Sequence, residues 1–147
     1  MHTLSHRLAS ADDFDFLYEL KKAAEGESVK RIWGWDELVQ QKIHNEELED
    51  AVPQIIEFNG ERVGCFLFQE REDHCYFSRF FILPECQGKG FGSHILKENI
   101  AAARECGKPL RLCYLRGNRV DVLYRRFDFT FKREDEHFVY MVLEHGR

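Results

Sequence analysis

The sequence predicts an α/β fold of the mixed (α+β) type, in which a central mixed sheet carries helices on both faces. Three observations support this class. The chain of 147 residues has the size of one domain, which we expect to span residues 1–147. Strand-like apolar runs and helix-like apolar spacings follow one another in the order β-α-α-β-β-β-α-β-α-β-β. A glycine-rich turn beyond the middle of the chain joins an apolar run to an amphipathic stretch.

The N-terminal third of the chain predicts one strand and two helices. Leu4 to Ala9 is strand-like, and Ser10 and Asp13 have the spacing of a capping box, which starts a helix. Gly26 is expected to stop that helix. A second helix is predicted from Val29 to about Leu48. The inner faces are expected to consist of Phe14, Leu17, Tyr18 and Lys21 in the first helix and of Ile32, Trp35, Leu38, Val39 and Ile43 in the second.

The middle of the chain predicts a hairpin followed by a central strand. Asn59-Gly60 is a strong signal for a two-residue turn, and it joins Gln54–Phe58 to Arg62–Gln69. The run Cys75–Leu83 predicts the central strand. Pro84 ends this strand because proline cannot donate a hydrogen bond to a sheet ladder.

The last third predicts two more helices and three strands. The helix after the glycine turn is supported by apolar residues at helical spacing, namely Phe91, Ile95, Leu96, Ile100 and Ala103. The elements that follow are a strand at Leu110–Leu115, a short helix at Asn118–Phe127, and a hairpin of Phe129–Lys132 and Phe138–Leu143.

The formal net charge of −5 argues against nucleic acid as a partner, because nucleic-acid binders usually carry a basic surplus. A local basic cluster, Arg116, Arg119, Arg125 and Arg126, is the exception, and we interpret it as a solvated helix face. No apolar run approaches the length of about eighteen residues that a membrane span needs, and Met1 to Ser10 lacks the apolar core of a signal peptide. We therefore expect no membrane partner and a cytoplasmic location.

Cysteine and histidine usage predicts neither disulfides nor a metal site. The five cysteines form an odd count without C-x-x-C spacing, so we expect reduced thiols in a reducing cytoplasm. The seven histidines are scattered along the chain, so that metal ligation would need a fortuitous tertiary cluster.

The glycine turn, Gln87-Gly88-Lys89-Gly90-Phe91-Gly92, predicts an anion-binding site. Its glycines lack the Cβ atoms that would keep a ligand off the backbone, so successive N–H groups can face one concavity. The N-terminus of the helix that follows adds roughly half a positive charge. The expected ligand is a phosphate or pyrophosphate. The spacing G-x-G-x-G fits neither a nucleotide P-loop nor a dinucleotide-binding fingerprint.

Two segments carry a resemblance to a known family. Gln87, Gly90 and Gly92 fill the fixed positions of a Q/R-x-x-G-x-G/A signature. The segment from Asn118 to Phe129 is similar to the pattern N-x-x-x-x-L-Y-x-x-x-G-F, with Asp128 in place of the glycine. Both patterns belong to the GNAT superfamily of acyl-CoA-dependent N-acyltransferases, which this chain resembles over about residues 53 to 143. The resemblance implies the GNAT fold, in which the central strand and the next strand splay apart.

The resemblance also implies acetyl-CoA as co-substrate. In this family the glycine loop holds the pyrophosphate of coenzyme A, and the strand before it pairs with the pantetheine arm. The basic cluster gains a second interpretation, which is contact with the 3′-phosphate. Family members are often homodimers, which no feature of this sequence decides. The residues implied to bind the cofactor are Phe81, Ile82, Leu83, Gln87, Gly88, Lys89, Gly90, Phe91, Gly92, Ser93 and Asn118.

Acyl transfer to an amine needs a proton acceptor and a proton donor. Only about one lysine-like amine in a thousand is neutral at pH 7, and the departing thiolate needs a proton. By resemblance, Tyr124 is the general acid that supplies it. The alternative is a core aromatic residue at helical spacing with Phe127. Backbone N–H groups around Ile82 and Leu83 are expected to form an oxyanion hole.

The sequence does not identify the general base. The family often has a carboxylate before the proline of the central strand, where this chain has Phe80-Phe81-Ile82, or on the next strand, where it has Cys113. A chain of water molecules to solvent is the interpretation we favour. The missing carboxylate also supports a different function, a GNAT-like module that binds an acyl-CoA without turnover. The remaining candidates for the base, each more typical of a surface group, are Glu27, Glu37, His74 and His94.

In the family the first two helices and their connection line the acceptor side of the cleft. Trp33, Trp35, Asp36 and Glu37 are therefore predicted to contact the acceptor, a primary amine on a small molecule or a peptide. Tryptophans this close together are also typical packing anchors, and we expect core packing for at least one of them. The carboxylates are equally typical of a solvated helix face. A third function class is an interaction domain without a cofactor.

Overall fold

The structure is a computed structural model, and it describes residues 3–145. Residues 1, 2, 146 and 147 of the predicted domain lie outside the described residues. The described part contains seven strands and four α-helices. Their bounds are β1 Leu4–Leu8, α1 Phe14–Trp33, α2 Glu37–Asp50, β2 Gln54–Phe58, β3 Glu61–Glu70, β4 Cys75–Ile82, α3 Phe91–Glu105, β5 Leu110–Leu115, α4 Asp121–Arg126, β6 Thr130–Glu134 and β7 Phe138–Leu143.

The strands form a mixed sheet in the order β1-β2-β3-β4-β5-β7-β6, and helices flank it. The β1–β2, β2–β3, β5–β7 and β6–β7 pairs are antiparallel, whereas β4 and β5 are parallel. Within the described residues, the parallel register joins Cys75 to Leu110 and Tyr76 to Arg111, although β4 continues to Ile82. The predicted fold class and order of elements are confirmed.

The chain divides into two compact units. The first contains the residues up to Leu67 together with Arg79–Phe91. In its core, α1 packs on β3 and β4 through apolar side chains. The core consists of Ala9, Leu17, Leu20, Ile55 and Cys65, against which Phe16, Leu48, Val52, Phe81 and Leu83 pack.

The second unit contains Phe68–Ser78 and the residues from Gly92 onward. Its strands bury several side chains almost completely, namely Cys75, Phe77, Leu110, Leu112 and Met141. The predicted inner face of α3 is confirmed, since Ile95, Leu96, Ile100 and Ala103 are all buried. That the whole chain forms a single domain stays a prediction.

The predicted helix stop at Gly26 is wrong. α1 continues through Gly26 to Trp33 and includes residues 29–33, the predicted start of the second helix. One internal glycine costs a helix only about 1 kcal/mol relative to alanine, which packing readily offsets. The helix ends instead at Gly34, whose φ of 77° is left-handed. α2 then begins behind Asp36, whose carboxylate accepts the Val39 N–H at 3.1 Å.

The predicted inner face of α2 is also wrong. Three of its members are exposed, Leu38 at 83%, Val39 at 50% and Ile43 at 39%. The buried residues of α2 are Gln40 and His44. Polar contacts orient the helix, because His44 Nε2 lies 3.3 Å from the carbonyl oxygen of Phe14 and its ring centroid lies 5.4 Å from that of Tyr18. Phe14, predicted on the inner face of α1, is itself 36% exposed.

The predicted hairpin is confirmed. Asn59 and Gly60 join β2 to β3 with φ angles of 53° and 83°. Two successive positive φ angles are the geometry of the type I′ turn that Asn-Gly favours.

None of the five cysteines lies in a disulfide, as the sequence predicts. No helix within residues 3–145 is long and apolar enough to cross a membrane. The same residues contain no group of three or more side chains that could hold a metal ion.

Candidate functional site

The glycine loop begins in a tight turn that fixes it to the end of β4. Pro84–Cys86 forms one 3₁₀ turn, in which the Cys86 N–H donates to the Leu83 carbonyl at 2.8 Å. The Gln87 N–H donates to the Pro84 carbonyl at 3.3 Å, and its side-chain Nε2 donates to the Ile82 carbonyl at 3.1 Å. Gln87 therefore acts here as a brace between the strand and the loop.

The two glycines that follow have left-handed backbone. Gly88 has a φ of 78° and Gly90 a φ of 85°, and a Cβ added at either would meet no atom within 4 Å. Both are exposed, as is Lys89. The backbone is thus open to a ligand at the start of α3, where the first N–H groups of a helix have no partner within the helix. This cradle fits a diphosphate, which needs N–H donors and little else.

Phe91 anchors the other side of the loop. Its side chain is buried, and its ring centroid lies 4.7 Å from that of Phe58. Only its backbone is therefore available to a cofactor. Gly92 and Ser93, in the first turn of α3, are half-buried. The contact of Phe91 with Phe58 fixes the first residue of α3 next to the loop, so the helix dipole would favour an anion at the same place as the glycine amides.

The end of β4 depends on a glycine that the sequence analysis missed. A Cβ at Gly64 on β3 would lie 2.3 Å from the carbonyl oxygen of Phe81 and 2.9 Å from the Ile82 Cδ1 atom. Only glycine therefore permits this close approach of the two strands. The signal in the sequence is one glycine inside an otherwise apolar strand.

The predicted oxyanion role of Leu83 is wrong in this structure. Its N–H donates to the carbonyl of Val63 at 2.8 Å, so it points toward β3. Its side chain, like that of Phe81, packs on the core of the first unit. Because N–H groups alternate along a strand, the N–H of Ile82 points toward the opposite edge of β4.

Arg79, in the middle of β4, was also missed. It has a φ of 49°, which is uncommon for a residue with a side chain. Its guanidinium donates to the carbonyls of Glu47 at 2.9 Å and Ala51 at 2.7 Å, at the end of α2. Its own carbonyl accepts the Cys65 thiol at 3.1 Å. Contacts from α2 and β3 thus hold the irregular backbone of β4.

Tyr124 lies on α4 in the second unit and is 4% exposed. Its ring centroid lies 6.0 Å from that of Tyr114 and 5.8 Å from that of Phe129. Asp128 adopts a φ of 69°, so aspartate takes the left-handed turn where the family pattern has glycine. The turn returns the chain to the helix, because the Phe129 N–H donates to the Tyr124 carbonyl at 3.2 Å.

Asn118 shapes the start of this segment. Its side-chain oxygen accepts the Val120 N–H at 3.1 Å, and its own N–H donates to the Leu115 carbonyl at 3.1 Å. Asn118 therefore stabilises a local turn. This turn accounts for an asparagine at this position even if its side chain contacts no ligand. The four arginines nearby are exposed, with Arg125 bound to Asp121 at 3.4 Å and Arg116 to Glu134 at 3.8 Å.

Comparison with known proteins gives the family of this chain. A family model described as Acetyltransferase (GNAT) domain matches residues 50–131, which include the glycine loop and Tyr124. The chain belongs to the GNAT acetyltransferase family. It is therefore an acyltransferase by family.

Solved structures share the GNAT fold. PaiA N-acetyltransferase from Thermoplasma acidophilum, solved with coenzyme A, aligns at a TM-score of 0.74 over 97% of this chain and 99% of that chain, with 16% identity. PH1933 from Pyrococcus horikoshii OT3 aligns at a TM-score of 0.81 over 100% of both chains, with 12% sequence identity. An acetyltransferase from Bacillus subtilis, solved with CoA, aligns at 0.70 over 97% and 99%, with 18% identity. No curated protein matches the chain.

The predicted acceptor-side residues of this GNAT domain lie where α1 meets α2. The Trp33 side chain is 52% exposed. Trp35 is half-buried, with its ring 6.5 Å from the Tyr18 ring and 5.7 Å from the Lys22 ammonium. Trp35 thus packs against α1, whereas Trp33 presents much of its surface to solvent.

Glu37 is heavily engaged. It accepts hydrogen bonds from the Lys22 ammonium, the Tyr18 hydroxyl and, at 3.1 Å, the Trp35 indole N–H. The bond from Lys22, together with the others, lowers the pKa of the Glu37 carboxyl to about 2. A carboxylate with so low a pKa is a weak base, so Glu37 is better suited to shape the helix junction.

Of the other predicted bases, Glu27 and His94 are exposed, whereas His74 is half-buried. His74 Nδ1 lies 2.7 Å from the carboxylate of Asp73, and His94 lies 3.4 Å from Glu98 one helical turn away. One carboxyl that the sequence analysis missed differs from these. Burial raises the pKa of the Glu25 carboxyl to about 7.

Proposed function

We propose that this GNAT domain is an N-acetyltransferase that transfers the acetyl group of acetyl-CoA to a primary amine by direct attack in a ternary complex. The observation that carries the proposal is the open, left-handed backbone at Gly88 and Gly90, placed between the end of β4 and the N-terminus of α3. It lies within the segment that matches the GNAT family. Neighbours of the same fold were solved with coenzyme A or acetyl-CoA.

The cofactor would be held by backbone more than by side chains. The amides from Gly88 to Gly92 would bind the diphosphate, with Lys89 and Ser93 beside them and Gln87 as a brace. The short parallel register of β4 with β5 supports pairing of the pantetheine arm with β4 around Phe81 and Ile82. Leu83, Phe91 and Asn118 would contribute through packing and turn geometry.

The chemistry that remains for the protein is proton transfer and charge stabilisation. The Ile82 N–H, which points away from β3, would stabilise the developing oxyanion of the thioester carbonyl. The Tyr124 hydroxyl would donate its proton to the departing sulfur. A base or a chain of water molecules must take the proton of the acceptor ammonium.

The acceptor would be a small-molecule or peptide amine that contacts the junction of α1 and α2. The exposed ring of Trp33 supports this placement. Trp35 and Glu37, which bind each other and Lys22, would form its wall. The proposal includes action in the cytoplasm, which the absence of disulfides among the five cysteines supports.

Two observations favour a second function. No carboxylate lies at Phe80-Phe81-Ile82, and Leu83 lacks an available N–H because it bonds to Val63. A domain that only binds an acyl-CoA, as a sensor or interaction module, needs neither group.

Thiol release separates the two functions. The protein is incubated with acetyl-CoA and a panel of primary amines that includes lysine, spermidine and peptides with a free N-terminus, and coenzyme A is measured with a thiol reagent. The enzyme predicts amine-dependent release well above the hydrolysis background. Binding of coenzyme A by calorimetry without release with any amine would favour the binding module. No binding would contradict both.

A further inference from the structure

One face of α1 is directed at β3 and β4. Leu17 and Leu20 on this face pack with Cys65, and Phe81 packs against the same cluster. Glu25 lies one helical turn after Lys21 on α1, because residues four positions apart share one side of a helix. It follows Leu20 by five residues, which is about 7.5 Å along the helix axis.

Ser28 and Val29, one turn further along α1, are again buried, so the face continues beyond Glu25. Glu25 itself is half-buried. Glu25 therefore lies between two buried stretches of α1, whereas Glu27 is exposed.

Charged groups from three elements, α1, α2 and β4, and one neutral thiol on β3 lie near this position. Lys21 on α1 forms an ion pair with Glu47 on α2, and Glu47 also binds Arg79 on β4 at 3.4 Å. Glu25 interacts electrostatically with Lys21 and Glu47. Cys65 on β3 interacts with Glu25 and Arg79, and its thiol donates to the Arg79 carbonyl. The cluster thus includes Arg79, which precedes by two residues the part of β4, Phe81 and Ile82, that is proposed to pair with the pantetheine arm.

Glu25 differs from its neighbours in having no bonded partner. Lys21, Glu47 and Arg79 bind one another, whereas the Glu25 carboxyl accepts no hydrogen bond within residues 3–145. A half-buried carboxyl without a hydrogen-bond donor is suited to take a proton from a ligand, since no donor has to be displaced.

We propose that Glu25 is the general base of the acetyl transfer and supplies from α1 the carboxylate that β4 lacks. This inference rests on the proposed function. The Glu25 carboxylate takes one proton from the acceptor ammonium. The neutral amine attacks the thioester carbon, so that the C–N bond forms and the C–S bond breaks. Tyr124 protonates the sulfur and recovers a proton from the amide nitrogen, and Glu25 releases its proton to water.

The electrostatics suit this role. Desolvation, opposed by Lys21 and reinforced by Glu47, places the pKa of Glu25 at about 7, where about half of the carboxyl groups are ionised at neutral pH and the carboxylate can hold a proton. Burial raises the pKa of the Cys65 thiol to about 12, so that the thiol stays neutral and does not compete. Lys21 and Arg79 are engaged by Glu47.

The test compares Glu25→Gln with Glu27→Gln. Both remove one carboxylate from α1, but Glu27 is exposed. For the amine with the highest turnover in the panel, kcat/KM is measured from pH 5.5 to 9.5, and coenzyme A affinity is measured by calorimetry. We expect wild type and Glu27→Gln to rise through pH 7 and level off. Glu25→Gln should lose at least tenfold in kcat/KM at pH 7.5, keep its coenzyme A affinity, and rise without a plateau toward the pKa of the amine.

Two results would overturn the inference. One is a Glu25→Gln enzyme with the wild-type rate and pH profile. The other is a wild-type rate that rises to the pKa of the amine without a plateau, which is the behaviour of a water chain. The absence of thiol release with every amine would contradict the proposed function itself, and it is distinguishable because no pH profile then exists. Carbon NMR of the wild-type protein gives a check that needs no variant, since a Glu25 carboxyl that titrates below pH 5 would also overturn the inference.

Discussion

The glycine loop and the helix pair α1–α2 differ in how their functional groups are assembled. The loop presents the backbone of consecutive residues, held by a 3₁₀ turn on one side and by the buried Phe91 on the other. The helix pair brings together side chains from distant positions, such as Glu25 and Glu47, and Glu47 also binds Arg79 on β4. Cofactor binding should therefore respond to changes in backbone conformation, and proton transfer to changes in side-chain charge.

The largest expected effect lies outside both regions, at Tyr124. Tyr124→Phe should lower turnover by more than tenfold, because general acid catalysis contributes roughly 10² or more. The affinity for acetyl-CoA should change little, since the hydroxyl is proposed to act only on the leaving sulfur. Steady-state kinetics and calorimetry measure the two quantities. Tyr114→Phe is the control, because its half-buried ring lies 6.0 Å away. Unchanged turnover in Tyr124→Phe would remove it from the mechanism.

A substitution at Gly64 tests whether the strand that leads into the loop depends on backbone contact. Gly64→Ala should destabilise the protein by about 2–4 kcal/mol, because its Cβ would overlap the Phe81 carbonyl and force β4 to shift. Urea unfolding gives the free energy, and calorimetry should show weaker coenzyme A binding. A variant with wild-type stability would show that the two strands separate easily. It would contradict the claim that the strand before the loop depends on close backbone contact.

The loop itself is tested by a matched pair of glycines. Gly90 and Gly60 have φ angles of 85° and 83°, and a Cβ at either meets nothing within 4 Å. Alanine should cost each about 1–2 kcal/mol of stability, because both are left-handed. Gly90→Ala should also weaken coenzyme A binding about tenfold or more, since the loop must change its conformation, whereas Gly60→Ala should bind normally. Equal affinities would mean that the loop does not hold the cofactor.

Arg79 allows backbone and side-chain effects to be separated within one residue. Arg79→Ala removes the donors to the Glu47 and Ala51 carbonyls and should cost about 1–3 kcal/mol. Arg79→Gly removes the same donors but suits a φ of 49°, so it should be about 1 kcal/mol more stable than the alanine variant. Urea unfolding of the two variants measures the difference. The reverse order of stability would show that the backbone of β4 is not strained.

The last prediction concerns a buried charge that the proposed chemistry does not use. Asp13 is buried and binds Arg7 at 2.7 Å and Arg62 at 3.2 Å. The Arg7 bond lowers the pKa of the Asp13 carboxyl. The ionised Asp13 carboxylate therefore adds to the free energy of unfolding above the pKa of an unfolded aspartate, which is about 4. This stabilisation is lost as the pH falls through the lower pKa of Asp13 in the folded protein. Asp13→Asn should cost roughly 2 kcal/mol at pH 7.

The unfolding free energies of Asp13→Asn and wild type, measured from pH 7 to pH 2, test this sign. The gap between them should narrow below about pH 4. A gap that stays constant down to pH 2 would show that the pKa of Asp13 is not lowered. Acetyl-CoA affinity at pH 7 should be equal in both proteins.

The order of elements and the glycine loop could be predicted because their signals are local. Asn59-Gly60 specifies its turn, and the spacing from Phe91 to Ala103 specifies a helix face whatever lies around it. The open backbone at Gly88 and Gly90 likewise follows from consecutive residues.

The boundary between α1 and α2 and the inner face of α2 could not be predicted because their signals are tertiary. Gly26 has the local signature of a helix end, but packing carries α1 through it. The phase of α2 is set by the polar contact of His44 with the Phe14 carbonyl, so apolar spacing misassigned its inner face. The pKa of Glu25 depends on desolvation and on Glu47, neither of which is visible in sequence neighbours. The left-handed conformation of Arg79 in a strand-like run is also not visible in the sequence, because contacts with residues distant along the chain hold it.

The central claim is that the amides of the glycine loop bind the diphosphate of coenzyme A. Amide NMR of the wild-type protein tests it directly, with coenzyme A titrated in one series and pantetheine, which lacks the diphosphate, in the other. The claim predicts large shifts of the Gly88, Gly90 and Gly92 amides with coenzyme A and small ones with pantetheine. Loop amides that stay unmoved at saturating coenzyme A would contradict it.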